Sequence, residues 1–272
     1  MDLSTEFSTL QLTIADGVAE LRMNRPDRAN SLNQDMWHEL REAARALDAE
    51  PSARVVVLSG SGKHFCAGID LGMLAQLHPT DLEPGRAGEE LRRRILDLQD
   101  VLSWFEKCRK PVIAAISGAC IGAGLDLAVA CDLRYASADA QFVLKEVDMG
   151  LAADVGVLQR LPRIVGEGVA RELAYTCRPV FGTEAAELRL VNRCFATAED
   201  MHKAVLELAR ELAVKSPIAM RGTKHAITYA RDHSIADGLD QIATWNASAL
   251  LTADIAESVT AFREKRPGTF VD

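Results

Sequence analysis

The chain has 272 residues and 48% hydrophobic content, enough to build a substantial core. Its 31 basic and 39 acidic residues give a net charge of -8, which excludes the basic footprint of a nucleic-acid or anionic-membrane binder. Six cysteines without C-x-x-C spacing exclude the usual zinc and redox motifs and read as reduced core thiols.

The N-terminus lacks a basic region followed by an apolar run, no stretch reaches membrane-span length, and the C-terminal residues are not a Ser-Lys-Leu address. A soluble cytoplasmic protein is expected. Residues 10–14 and 18–23 are strand-like and flank Asp16-Gly17, a tight-turn pair, so the chain opens with a β-hairpin. Asn33 can cap a helix whose Met36, Leu40, Ala43 and Leu47 recur on one face, and residues 55–58 read as a fully buried strand. Pro79 to Gly88, rich in proline and glycine, is expected to be a mobile loop at a substrate entrance. Residues 111–116 form the next buried strand, and the glycine-rich 118–124 leads into an apolar helix through Ala130. Short strands follow at 133–136 and 141–144. Beyond Val155 the signals are almost entirely helical, notably over 199–214, 217–231 and 235–250.

Two tempting motifs fail on spacing. Gly60-Ser61-Gly62-Lys63 lacks the glycine and hydroxyl of a phosphate loop, and Gly118 to Gly124 has the order G-x-x-x-G-x-G rather than that of a dinucleotide loop. No G-x-S-x-G elbow occurs, and no two histidines have metal-pair spacing. There remain two small-residue turns, 64–71 and 118–124, each after a buried strand. Such turns let a ligand approach the backbone and can aim unpaired amides at one oxygen, although glycines also serve simply to make turns tight.

Residues 65–71 (Phe-Cys-Ala-Gly-Ile-Asp-Leu) and 116–124 (Ile-Ser-Gly-Ala-Cys-Ile-Gly-Ala-Gly) resemble the two oxyanion-hole segments of the enoyl-CoA hydratase/isomerase (crotonase) superfamily. Asn24-Arg25-Pro26, residues 29–33 (Ala-Asn-Ser-Leu-Asn) and 159–162 (Gln-Arg-Leu-Pro) agree with other landmarks, and the resemblance runs from about 10 to 267. It implies an α/β crotonase spiral of ββα units over 1–198, carrying the acyl-CoA site, with an oligomerisation region over 199–272 that belongs to the same overall domain. It also implies a homotrimer or a hexamer made of two trimers. Coenzyme A enters as part of the substrate, with no separate cofactor and no metal. By position, Ile69 and Ala123 supply the oxyanion-hole amides; Ala123 stands where the family commonly has glycine. Arg28, Ala29, Ala67, Ile69 and Asp70 fall at the coenzyme-A contacts, and Phe262 and Lys265 fall where family members contact the coenzyme A of a neighbouring subunit.

Three acids distinguish among the superfamily's reactions. Asp126 and Glu146 occupy positions that are both glutamate in the hydratases, and Asp154 replaces a glycine typical there. Together they resemble the Δ3,5-Δ2,4-dienoyl-CoA isomerases. The resemblance implies Glu146 as base at carbon 2, Asp154 as acid at carbon 6, and Asp126 as an orienting or electrostatic partner. Three carboxyls in an apolar pocket cannot all ionise cheaply, so at least one apparent pKa is expected to rise. Each acid also has a bland reading: Asp126 as a helix-dipole partner, Glu146 as a strand-end charge, Asp154 as a helix cap. Asp70, Asp132, Asp139 and Asp148 look like turn or structural acids. The implied activity is isomerisation of 3,5-dienoyl-CoA to 2,4-dienoyl-CoA in unsaturated fatty-acid degradation, with 2-enoyl-CoA hydration as the alternative. An RNA-binding, non-catalytic member of the superfamily is disfavoured by the acidic charge.

Overall fold

The computed structural model describes residues 7–75 and 82–272. The expected hairpin is present: β1 (Leu10–Ala15) pairs antiparallel with β2 (Val18–Met23) from Leu10 opposite Met23 to Ala15 opposite Val18. α1 (Gln34–Ala49) starts where Asn33 Oδ1 accepts the Met36 N–H at 3.0 Å, and its predicted apolar face is buried. Next come β3 (Val55–Gly60), the short α2 (Leu71–Ala75) and α3 (Pro84–Lys107).

α3 corrects the expectation of a loop over 79–88. Residues 79–81 lie outside the described residues, whereas 84–88 are the start of a 24-residue helix. Pro84 sits in the first turn, where its missing N–H costs nothing, and the Glu83 carboxylate accepts the N–H groups of Gly85 and Arg86. Composition alone hid this start because proline and glycine are punctuation at a helix end as well as in a loop.

The chain continues through β4 (Val112–Ile116), β5 (Ala119–Ile121), α4 (Ala123–Ala130), β6 (Leu133–Ser137), β7 (Gln141–Val143), α5 (Val157–Val165) and α6 (Glu167–Thr176). β8 (Val180–Phe181), α7 (Gly182–Glu187), β9 (Arg193–Phe195), α8 (Ala198–Ala213), α9 (Pro217–Ala230), α10 (Ile235–Ala249) and α11 (Asp254–Glu264) complete it. The main sheet has the order β1-β2-β3-β4-β6-β9, parallel except for the hairpin, and a second sheet has the order β5-β7-β8. β5 lies inside what the sequence reads as a glycine turn. β8 and β9 interrupt the region read as helical; at two and three residues they are too short to display a period of 2.

The main sheet is buried on both faces, so its central strands alternate between two cores. Val56 and Leu58 of β3 and Val112, Ala114 and Ile116 of β4 pack with residues of α1, α3 and α4; Val55, Val57, Ile113 and Ala115 pack against Met201, Val205, Ala209 and Ala213 of α8. α8 is therefore bound to the sheet. The loosely covered part of the C-terminal region is α9 to α11, where Ile227, Ile235, Leu239, Leu250, Leu251 and Phe262 are all exposed. Among the described residues no helix is long and apolar enough to cross a membrane.

Candidate active site

The two small-residue turns meet. Cys66 and Cys120 form a parallel bridge, with the Cys66 N–H donating to Ala119 O at 2.8 Å and the Ile121 N–H to Cys66 O at 3.0 Å. The first turn is joined on its other side to the loop after β2, where Leu32 N–H donates to Gly68 O and Asp70 N–H donates to Leu32 O. Because that bridge consumes the groups flanking Ile69, the Ile69 N–H points away from Leu32. Ala123 is the first residue of α4, whose opening N–H groups have no intrahelical acceptor. Among the described residues neither amide donates a hydrogen bond. The Ala123 amide is free for the reason read from sequence, whereas Ile69 owes its freedom to an extended, bridged segment rather than a helix start. Ala123 itself is buried at 7% exposure, so the methyl is accommodated.

Gly122 shapes the approach to the first carboxyl. Its φ of +51° suits glycine, its N–H donates to Val143 O at 2.9 Å, and an added Cβ would stand 3.1 Å from Glu146 Oε1. Glu146, just beyond β7, is thus pressed against the start of α4. Asp126, one turn into α4, is fully buried; its Oδ1 accepts the Val157 N–H at 2.5 Å. The opposite oxygens, Asp126 Oδ2 and Glu146 Oε2, are buried without a partner among the described residues. Asp154 is the most solvent-accessible of the three, and it is not the helix cap it could have been, since Gly156 caps α5.

The three acids interact electrostatically. Burial and the nearby Glu146 charge push the Asp126 carboxyl up to about 8, against opposing contributions from the Val157 amide and Arg160. Burial also raises Glu146, with Asp154 adding to it, and burial raises Asp154. Burial thus raises all three carboxyls, most of all Asp126, which favours its protonated form near neutral pH, while the rise on Asp154 favours its holding a proton as well. Beside two free amides, this arrangement offers a place for a developing oxyanion and carboxyls able to hold or release protons around it.

The residues expected around coenzyme A are brought together in part. Ala67 N–H donates to Ala29 O at 2.9 Å, and Ala29 is held in the left-handed region at φ 48°, exposing Arg28 beside it. The Asp70 side chain is occupied in support: Oδ2 accepts from Arg25 at 3.2 Å, Oδ1 accepts the Gly72 N–H at 3.0 Å, and these bonds hold its carboxyl below the usual range. The Asp70 carboxylate thereby ties this turn to the 25–31 loop and lies within electrostatic reach of Arg28. Phe262, 85% exposed on α11, and Lys265, which closes that helix at φ 54°, are not hydrogen-bonded to the cluster among the described residues. Sequence reasoning missed Asn30, which is buried and donates to Ser61 O and His64 O, and His64, whose Nδ1 accepts the Ala119 N–H at 3.0 Å. These two pin the turns to each other. Asn30 stood inside a quoted landmark, but nothing in spacing marked His64.

A cavity of about 820 Å³ lies between α1 and α3 and includes none of the three acids. Its polar lining, with Arg41, Glu90, Arg93 and Asp97, provides ion pairs rather than free amides. The carboxyl cluster is the stronger candidate on chemistry.

The profile of the Enoyl-CoA hydratase/isomerase family matches residues 13–272. The chain belongs to that family. Within it, the chain is 45% identical over 256 residues to the peroxisomal Delta(3,5)-Delta(2,4)-dienoyl-CoA isomerase of Arabidopsis thaliana, covering 93% of this chain and 92% of that protein. It is 44% identical over 264 residues to the mitochondrial protein of the same name from Homo sapiens, covering 96% and 80%. Among solved structures, an enoyl-CoA hydratase from Bacillus anthracis superposes with a TM-score of 0.88 at 32% identity, covering 97% of this chain and 99% of that one. The family's α/β crotonase fold is therefore the fold of this chain, and the recognition made from the two turns holds.

Proposed function

We propose that the protein isomerises a 3,5-dienoyl-CoA to a 2,4-dienoyl-CoA during degradation of unsaturated fatty acids. The observation that carries this reading is the third carboxyl, Asp154, within electrostatic reach of Asp126 and Glu146 beside two unpaired amides. Relatives named as dienoyl-CoA isomerases support it. Glu146 removes the carbon-2 proton, and the Ile69 and Ala123 N–H groups stabilise the negative charge that moves to the thioester oxygen. Each such donor is typically worth about 2.7–4 kcal/mol. Electron density returns through the conjugated system as Asp154 protonates carbon 6. The cycle closes when Glu146 releases its proton and Asp154 regains one from solvent, to which it is the most open of the three. Asp126, neutral near pH 7, lets Glu146 ionise without a second adjacent negative charge.

The deciding experiment follows 3,5-dienoyl-CoA and 2-enoyl-CoA spectroscopically with the parent and Asp154→Asn. Diene isomerisation by the parent is expected, with Asp154→Asn retaining solvent deuterium exchange at carbon 2 while product formation falls by about 10²–10⁴-fold. Hydration alone would instead establish the alternative, an enoyl-CoA hydratase. Coenzyme-A contacts are assigned to the 28–29 and 67–70 loops, with Phe262 and Lys265 serving a neighbouring subunit. The exposed apolar residues of α9 to α11 support a homotrimer or a dimer of trimers; a strictly monomeric active species by light scattering would refute it. A cytoplasmic location is proposed on the sequence alone, in contrast to relatives named as peroxisomal or mitochondrial, and is tested by cell fractionation.

A further inference from the structure

One face of α3 grips the segment that carries Asp154. Gln99, Ser103 and Glu106 are spaced four and three residues apart and so lie on the same side of the helix. Gln99 Nε2 donates to the backbone oxygen of Asp154 at 2.6 Å. Arg160 Nη2 donates to Ser103 Oγ at 3.2 Å and to Glu106 Oε2 at 3.0 Å, and Glu106 is paired in turn with Arg231. Gly156, at φ +128°, lies directly on the Arg160 guanidinium, with which an added Cβ would collide. The loop is therefore braced at one end by Gln99 and at the other by Arg160. Val157, between them and the core, gives its N–H to Asp126.

The Asp154 carboxyl is not hydrogen-bonded to any other described residue, so its aim is set by its own backbone. Gln99 is the side chain that holds that backbone. We propose that Gln99 is a positioning residue for the isomerisation: by fixing the Asp154 peptide it directs the carboxyl at the remote carbon of the acyl group. This rests on the reading of Asp154 as the proton donor. Misplacing a reacting group by about 1 Å can cost on the order of 10²-fold in rate, so one such hydrogen bond is enough to matter.

The test compares the parent with Gln99→Met, near in shape but without an N–H, with Gln99→Glu, whose carboxyl can donate only when protonated, and with Asp154→Asn. Carbon-2 deuterium exchange and 2,4-diene formation are measured on the same 3,5-dienoyl-CoA, with thermal melting to check folding. Gln99→Met is expected to keep exchange within about twofold while kcat for diene formation falls roughly 10–100-fold at little-changed KM. Gln99→Glu should be slower still at neutral pH and gain on Gln99→Met as the pH is lowered, which a packing role would not produce. If both Gln99 variants change exchange and isomerisation in equal proportion, or change neither, while Asp154→Asn still separates them, the inference is overturned and the activity assignment stands. If Asp154→Asn fails to separate them, the donor role itself falls, and this inference with it.

Discussion

α4 and α10 are both rich in apolar residues and meet opposite fates: every one of the eight residues of α4 is buried, and none of the fifteen of α10 is. α4 is enclosed by its own chain, against α3, α5 and β5. α10 packs on α9 and leaves Ile235 and Leu239 84% and 64% exposed. Burial is thus decided by what the chain brings against a helix rather than by the helix's composition. The part that does the proposed chemistry is closed within one chain, and the apolar surface of α10 is left uncovered by its own chain.

The largest effect that would break this contrast is on stability in the closed part. Leu127→Ala in α4 removes a fully buried side chain and should cost about 2–5 kcal/mol, read from the denaturant midpoint; a loss well under 1 kcal/mol would mean that α4 is not the sealed element described. Next is Ala123→Pro. Proline is tolerated at the first position of a helix but has no N–H, so this variant should keep its melting temperature while kcat falls about 10²–10³-fold. Unchanged turnover would remove Ala123 from the oxyanion site.

A pH-dependent difference follows from Asp126, raised from 3.8 to about 8 in the folded protein. The folded state holds a proton that the unfolded state has lost, so this group's stabilising contribution is full below about pH 4, declines as pH rises, and is gone above about pH 8. Asp126→Asn, which preserves the acceptor for Val157, should therefore gain stability relative to the parent between pH 5 and pH 9, as followed by urea unfolding. A constant difference across that range would contradict the raised pKa. The smallest effect belongs to α10: in the dissociated chain Leu239→Ala should alter stability by no more than about 0.5 kcal/mol, whereas Leu239→Asp should shift the proposed oligomer toward smaller species in light scattering. A cost like that of Leu127→Ala would show that α10 is sealed within its own chain after all.

The hairpin, α1 and the two central strands were legible because their signals are local: a turn pair, a capping asparagine, a 3.6-residue stripe and unbroken apolar runs. β8 and β9 were not, since strands of two and three residues exist only through the partners that the sheets supply. At the site, the two turns and the three acids could be found from residue order and resemblance. That Asp126 rather than Asp154 carries the largest rise could not be read there, because burial and mutual distance belong to the folded chain. Gln99 and His64 escaped for a related reason, as each acts through one hydrogen bond to a residue fifty-five positions away.

The proposed Ile69 and Ala123 donors are main-chain groups, held by a bridge and by a helix start, and no side chain supplies either of them. On the proposed roles, substitution at 126, 146 or 154 would change which carbon gains or loses a proton while leaving those main-chain groups in place. If those roles hold, a lineage carrying this scaffold would exchange one reaction for another by changing a few acids, with the two backbone N–H groups inherited unaltered.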